Sequence, residues 1–270
     1  QKFLEEMEFK TFSKRWWDAM GVIAEKTPAV TMGQSTLFDQ DFVEARAGLD
    51  SIISNINSNG HDYILIDNTH DLDKLVAELK KNDVICFDTE TDGLDILTVH
   101  LAGISFCTKT GKAHFVYTKD EAFRKTALEK LKPVFENEDI VKVGQNLKYD
   151  IAVLRSHGIN VKGKLADTML AHYLLQPELR HNLDFLSETY LNYKTITFEE
   201  LLGSGKQKIS IFEVSPEKLK EYACEDADVT LRLWEIFEPE LDKYGMTELF
   251  YDIETPLIEV LEDMERSGVR

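Results

Sequence analysis

From Tyr63 onward, short apolar runs alternate with stretches of helical periodicity. Tyr63-Ile-Leu-Ile reads as a short strand, and Leu72, Leu75, Val76 and Leu79 recur at three- and four-residue spacing, which predicts a helix over 70–81. Val84-Ile-Cys-Phe87 runs without a polar break into Asp88, the pattern of a buried central strand at 84–88. Residues 99–107 and 112–117 are again apolar and rich in β-formers, and the Lys-Thr-Gly between them is a hairpin signal. These three segments predict an antiparallel meander. Helical patterns follow at 120–136, 147–157, 168–175, 182–192, 215–244 and 253–267, with short strands at 141–144 and 161–166. Pro216 marks the start of the longest helix. A meander followed by alternating helices and strands predicts an α/β domain whose mixed sheet carries helices on both faces.

The first 60 residues follow a different pattern. Phe3, Leu4, Met7, Phe9, Phe12, Trp16, Trp17 and Met20 predict a short, aromatic amphipathic helix that packs against a neighbouring domain. Residues 21–60, with Pro28, Gly33 and a Ser/Asn-rich tract at 54–59, read as a linker. Inside it, Gln34-Ser-Thr-Leu37-Phe38 resembles the short peptides with which bacterial replication proteins dock on the sliding clamp. An apolar pair pinning the linker to its own domain accounts for the same residues.

Charge narrows the possibilities. The 270 residues carry a net charge of −18, so the chain does not grip a phosphate backbone by bulk positive charge, and any phosphate contact must be local or metal-mediated. Cys86, Cys107 and Cys224 show no Cys-x-x-Cys spacing and read as reduced, mostly buried thiols. No apolar run approaches the ~20 residues of a membrane span and no signal peptide is evident, so a cytoplasmic protein is expected. The chain lacks an initiator Met and stops in mid-pattern, as a piece of a longer protein would.

Candidate chemistry begins where the central strand ends. Asp88 and Glu90 are two residues apart, so on a strand they face the same way. Two carboxylates that close repel unless one stays protonated or a cation lies between them, and hard divalent ions are the usual partners of such oxygens. A strand closing in a polar turn at Asp92-Gly93 accounts for the same residues. Asp150 falls in the first turn of a helix, where it also suits the helix dipole. Tyr222 and Asp226 lie four apart on one helical face, a spacing that fits a hydrogen-bonded pair as well as a catalytic one.

Taken in order, Asp88-Thr-Glu90, Asn146-x-x-x-Asp150 and Tyr222-x-x-x-Asp226 resemble the signature of the DEDD exonuclease superfamily in its tyrosine-bearing branch. Phe87-Asp-Thr-Glu-Thr-Asp92, Asn146-Leu-Lys-Tyr-Asp150, Ala166-Asp-Thr-Met-Leu170, Lys194-Thr-Ile-Thr-Phe198 and Tyr222-Ala-Cys-Glu-Asp226-Ala-Asp228 are similar to the 3′–5′ proofreading domain of the bacterial DNA polymerase I family, over about residues 63–250. The resemblance implies a ribonuclease-H-like mixed sheet flanked by helices. It divides the chain into a linker after a 5′-nuclease region (1–60), an exonuclease domain (61–250) and the start of a polymerase domain (251–270). It also implies removal of 3′-terminal nucleotides from DNA as 5′-monophosphates with two divalent metal ions, Mg²⁺ first and Mn²⁺ or Zn²⁺ as alternatives.

Carried over residue by residue, Asp88 would bridge both ions, Glu90 and Asp226 would complete one site, and Asp150 would hold the other. Tyr222 would orient the attacking water. Leu94 resembles a wedge between terminal bases, Phe198 an aromatic stacking platform and Arg180 a phosphate contact, with Gln145, Asn146 and Tyr149 lining the pocket. Leu94 and Phe198 also suit a hydrophobic core. Asp228, His172 and His181 are expected off the metal face. The implied partners are a single-stranded DNA 3′ end, polymerase and 5′-nuclease modules of the same chain, and a sliding clamp through Gln34–Phe38, with no membrane and a monomeric state. An RNA-trimming exonuclease would share the carboxylates, and a silent spacer between polymerase modules is the non-enzymatic alternative.

Overall fold

A computed structural model describes residues 53–58 and 60–269. The expected helix at 3–20, the Gln34–Phe38 peptide and most of the 1–60 linker lie outside the described residues. Six strands form one mixed sheet in the order β1-β4-β3-β2-β5-β6. β1 is Asp62–Ile66 and runs parallel to β4, which is Lys112–Tyr117. β2 (Val84–Thr91), β3 (Leu101–Lys109) and β4 make the antiparallel meander. β5 (Val141–Gly144) and β6 (Leu165–Asp167) extend the sheet in parallel from β2. The expected mixed sheet with helices on both faces is the fold observed.

The helices are α1 (Thr69–Leu79), α2 (Glu121–Phe135), α3 (Leu147–Ser156), α4 (Thr168–Leu175), α5 (Leu183–Leu191), α6 (Phe198–Leu202), α7 (Pro216–Lys243) and α8 (Thr255–Arg266). Strand alternation divides β2 between two cores. Ile85 and Phe87 pack with residues of α1, α2 and α3, among them Leu72, Phe135 and Ile151. Cys86, on the opposite face, packs with Ala223, Cys224 and Ala227 of α7. Asp88 and Glu90 therefore point toward α7, and Thr89 points toward α3.

Three elements differ from expectation. β6 is three residues long instead of six, because the chain before it bonds elsewhere: Lys162 N donates to Phe135 O at 3.0 Å. Gly163 then turns at φ 86°, where a Cβ would meet Glu138 O at 2.7 Å. α6 was not anticipated, since five residues are too short to show periodicity; its capping box at Thr197 and Glu200 was the signal. The last helix begins only at Thr255, after a π-helical turn at Leu249–Glu254.

α7 is pinned to the sheet by Asp228, which is fully buried. Its carboxylate accepts from Tyr63 Oη at 2.9 Å, Gly111 N at 2.7 Å and Arg232 Nη2 at 2.5 Å. This lock ties the helix to β1 and to the β3–β4 turn, and it fixes the rotation that presents Tyr222 and Asp226 to β2. As expected, Asp228 itself faces away from them. Replacing Asp228 by Ala strands Arg232 and a backbone N–H, and should cost about 3 kcal/mol in urea unfolding. A loss below about 1 kcal/mol would contradict this role of the lock.

Candidate active site

At the C-terminal end of β2 the sheet opens into a cavity of about 550 Å³. A register shift between Glu90 and Thr91 loosens the β2–β3 ladder there, as bulges beside active sites commonly do. Asp88 and Glu90 project into the cavity from the strand, and α7 supplies Asp226 and Tyr222 from the other side. One oxygen from each of Asp88, Glu90 and Asp226 lies within 4.8 Å of the others.

Asp150 comes from α3, and its place depends on contacts across the fold. Gly144 ends β5 beside the helix; a Cβ on it would lie 2.3 Å from Leu147 Cδ2. Asn146 then takes a left-handed turn at φ 64° and α3 begins. The buried Asp167 carboxylate accepts from the backbone N–H groups of Leu147 at 2.8 Å and Asn146 at 3.2 Å. It also accepts from Met169 N at 2.8 Å and Leu170 N at 3.3 Å, so one side chain caps both α3 and α4. The fourth acid, thus delivered, is 2 % exposed and takes hydrogen bonds from Thr89 N at 3.0 Å and Thr89 Oγ1 at 2.5 Å.

Electrostatically the group is uncompensated. Burial raises the pKa of Asp88 well above the carboxylate range, and the charge of Asp226 adds to it. Burial raises Glu90 likewise, reinforced by Asp88, Asp226 and Asp150. Asp150 is raised by burial and then by Asp88, against the two Thr89 hydrogen bonds. Asp226 is raised by burial and Glu225, against a hydrogen bond from Tyr222. Glu90 Oε1 is buried without any hydrogen-bond partner, a costly state for a carboxylate oxygen. An orphaned oxygen amid clustered acids is what a site for hard divalent cations presents, so the residues fit such ions.

Tyr222 has its phenol pKa raised, by burial first and then by the charges of Asp226, Glu90 and Asp88. It therefore stays protonated at neutral pH and donates to Asp226.

The other sequence-predicted residues divide into two groups. Leu94, Gln145, Asn146, Tyr149 and Phe198 all line the cavity. Leu94 is 89 % exposed and Phe198 43 %, so neither is a core residue. Tyr149 Oη donates to Gly93 O at 2.6 Å and is bonded to Thr91 Oγ1, holding the loop that carries Leu94. Gln145 donates from Nε2 to His181 O at 2.7 Å and accepts from Thr168 Oγ1. Arg180 is exposed after α4 and is not among the cavity-lining residues. His172 and His181 also stay outside the lining. They meet each other at 2.7 Å, and burial, with the neighbouring His181, pushes His172 down to about 4. Sequence reasoning missed Thr89, Asp167 and Lys208. Thr89 and Asp167 stand inside motifs already singled out, but their partners come from elsewhere in the chain. Lys208 sits in an aperiodic loop and gave no signal.

The 3′–5′ exonuclease model of the DNA polymerase A family matches residues 63–242. The chain belongs to this exonuclease family. Curated relatives include DNA polymerase I of Pseudomonas aeruginosa, 36% identical over 77% of this chain, and that of Rhizobium leguminosarum, 34% identical over 77%. The alignments span 24% and 23% of those proteins, so the chain corresponds to about a quarter of each. Among solved structures, Brucella melitensis NrnC has the same fold, with a TM-score of 0.61 at 21% identity over 77% of this chain and 95% of its own. A second structure of that protein contains bound Mg²⁺. Among the described residues no helix is long and apolar enough to cross a membrane.

The unrelieved repulsion at Glu90 has a measurable consequence. Glu90→Gln should stabilise the chain in EDTA by about 0.5–2 kcal/mol, the size common for a single stabilising substitution. Added Mg²⁺ is expected to raise the melting temperature of the unsubstituted chain, and to raise that of the variant less. A lower melting temperature for the variant in EDTA would contradict the reading of the cluster as strained.

Proposed function

We propose that this chain is the proofreading exonuclease part of a bacterial DNA polymerase I, removing 3′-terminal nucleotides from single-stranded DNA ends as 5′-monophosphates in a reaction that depends on divalent metal ions. The observation that carries this reading is the convergence of Asp88, Glu90, Asp150 and Asp226 on one cavity with Tyr222 beside them. A spacer would have no reason to hold four acids at raised pKa.

Asp88, Glu90 and Asp226 would hold one divalent ion, and Asp150 with Asp88 a second. Such ions supply Lewis acidity and neutralise the charge that develops in phosphodiester hydrolysis. Mg²⁺ is the first candidate, consistent with the Mg²⁺ bound by NrnC. Tyr222, protonated at neutral pH, orients the attacking water by hydrogen bonding and does not take its proton. Both lining the cavity, Phe198 is proposed to stack on the terminal base and Leu94 to part that base from its neighbour. Gln145, Asn146 and Tyr149 position the terminal sugar and base, their side chains or backbone already held by protein contacts. Arg180 precedes His181, whose carbonyl holds Gln145, and is proposed to reach a phosphate from there.

RNA is the second reading, because the carboxylates serve either backbone and NrnC has also been solved with bound pGG. The test is digestion of a 3′-labelled single strand, as DNA and as RNA of the same sequence, with Mg²⁺ or Mn²⁺. Release of labelled mononucleotide from DNA is expected, with none in EDTA. Asp88→Ala and Asp226→Ala should each lower the rate by at least about a thousandfold. Release from RNA alone would favour the second reading. Activity that survives EDTA and both substitutions would sink the proposal.

A further inference from the structure

The exonuclease cavity carries Asp88, Glu90, Asp92, Asp150 and Asp226, and among the described residues that line it a single cation, Lys208. Lys208 follows α6 on a loop that is anchored at both ends. Upstream, Gly203 N bonds to Glu199 O at 2.8 Å and Lys208 N to Gly205 O at 3.4 Å. Downstream, Ile209 N bonds to Leu202 O at 2.9 Å and Ser210 N to Glu213 Oε2 at 2.8 Å. The backbone at Lys208 is therefore held against the cavity wall, while its long side chain is exposed. No carboxylate among the described residues forms an ion pair with it. Its ammonium instead lies over the ring of Phe198, 4.9 Å from the centroid.

That placement is unexpected in a chain of net charge −18. The clustered carboxylates suit cations, but a nucleic-acid strand brings a phosphate at each step, and two dications do no more than balance the four clustered acids. A contact with an exposed aromatic ring is among the weaker interactions of an ammonium. A phosphate oxygen is a stronger partner, through a charge-assisted hydrogen bond. The ring under Lys208 is also the one proposed to receive the terminal base, and base and ammonium cannot share one face.

We propose that Lys208 is a substrate-phosphate contact of this site, parked on the Phe198 ring until a strand end enters. The base takes the ring face, and the displaced ammonium pairs with a backbone phosphate of the same strand. The exchange keeps the stacking surface covered and the cation unpaired within the protein, ready for the polyanion. Because a phosphate contact carries no sequence information, Lys208 strengthens binding of all ends alike. The proposal rests on the exonuclease reading of the cavity.

The test compares the unsubstituted chain with Lys208→Ala and Lys208→Arg in two measurements. The first is binding of a 5′-fluorescein-labelled oligothymidine strand in EDTA over a range of KCl concentrations. The second is its digestion with Mg²⁺. Lys208→Ala should raise KM about tenfold with kcat within about twofold, the loss expected for one charged contact. The slope of log affinity against log salt should become shallower by about 0.7, the share of one phosphate on a single strand. Lys208→Arg should restore both. A Lys208→Ala chain with unchanged KM and unchanged salt slope would overturn the proposal, as would a fall in kcat alone. Lys208 is exposed, and a melting temperature equal to that of the unsubstituted chain confirms that the variant is folded. Binding is read without hydrolysis. A chain that binds the strand and releases no nucleotide with Mg²⁺ would refute the exonuclease reading and leave the Lys208 result standing.

Discussion

The fold is arranged around carboxylates held together with no cation of the described residues between them. Asp88, Glu90 and Asp226 present oxygens within 4.8 Å of one another, and Asp150 stands buried beside them. A fold tolerates such mutual repulsion only if the surrounding structure dictates the positions more strongly than the charges resist them. Here the hydrophobic cores on both faces of β2 supply that force. Phe87 is locked against the helices of one face and Cys86 against α7 on the other, so the residues that continue the strand have no freedom to turn away.

Three devices deliver the four acids. Strand alternation directs Asp88 and Glu90. A buried polar lock at Asp228, on the face of α7 turned away from the cavity, sets the rotation of the helix and with it Asp226 and Tyr222. The double cap at Asp167 starts α3 where Asp150 can meet Thr89. Two of these devices are themselves buried acids. Asp228 and Asp167 are satisfied by several donors each, whereas Glu90 keeps an oxygen with none. Within the cluster, that contrast marks Glu90 as a carboxylate with room for a cation.

This contrast also explains what could be read from the chain alone. The common facing of Asp88 and Glu90 follows from a period of two, and that of Tyr222 and Asp226 from a spacing of four, so both pairs were legible. The meander was legible because three apolar segments and a Gly turn are local signals. Contacts between distant segments were not. The Thr89–Asp150 bond spans 61 positions and depends on how α3 enters the sheet. The strand expected over 161–166 shrank because its backbone is claimed by the end of α2, a competition that no local pattern announces. Lys208 was invisible for the same reason, since its meaning lies in the ring and the carboxylates that other segments bring to it.

The four acids form a deficit of positive charge that suits divalent cations. The decisive measurement is a count of Mn²⁺ ions bound at neutral pH, by equilibrium titration with electron paramagnetic resonance detection of the free ion. Two saturable ions per chain are expected, the number a paired phosphodiester site holds, and Asp150→Ala should reduce this to one. No saturable binding by the folded chain, or a count that Asp150→Ala leaves unchanged, would contradict this match to divalent cations.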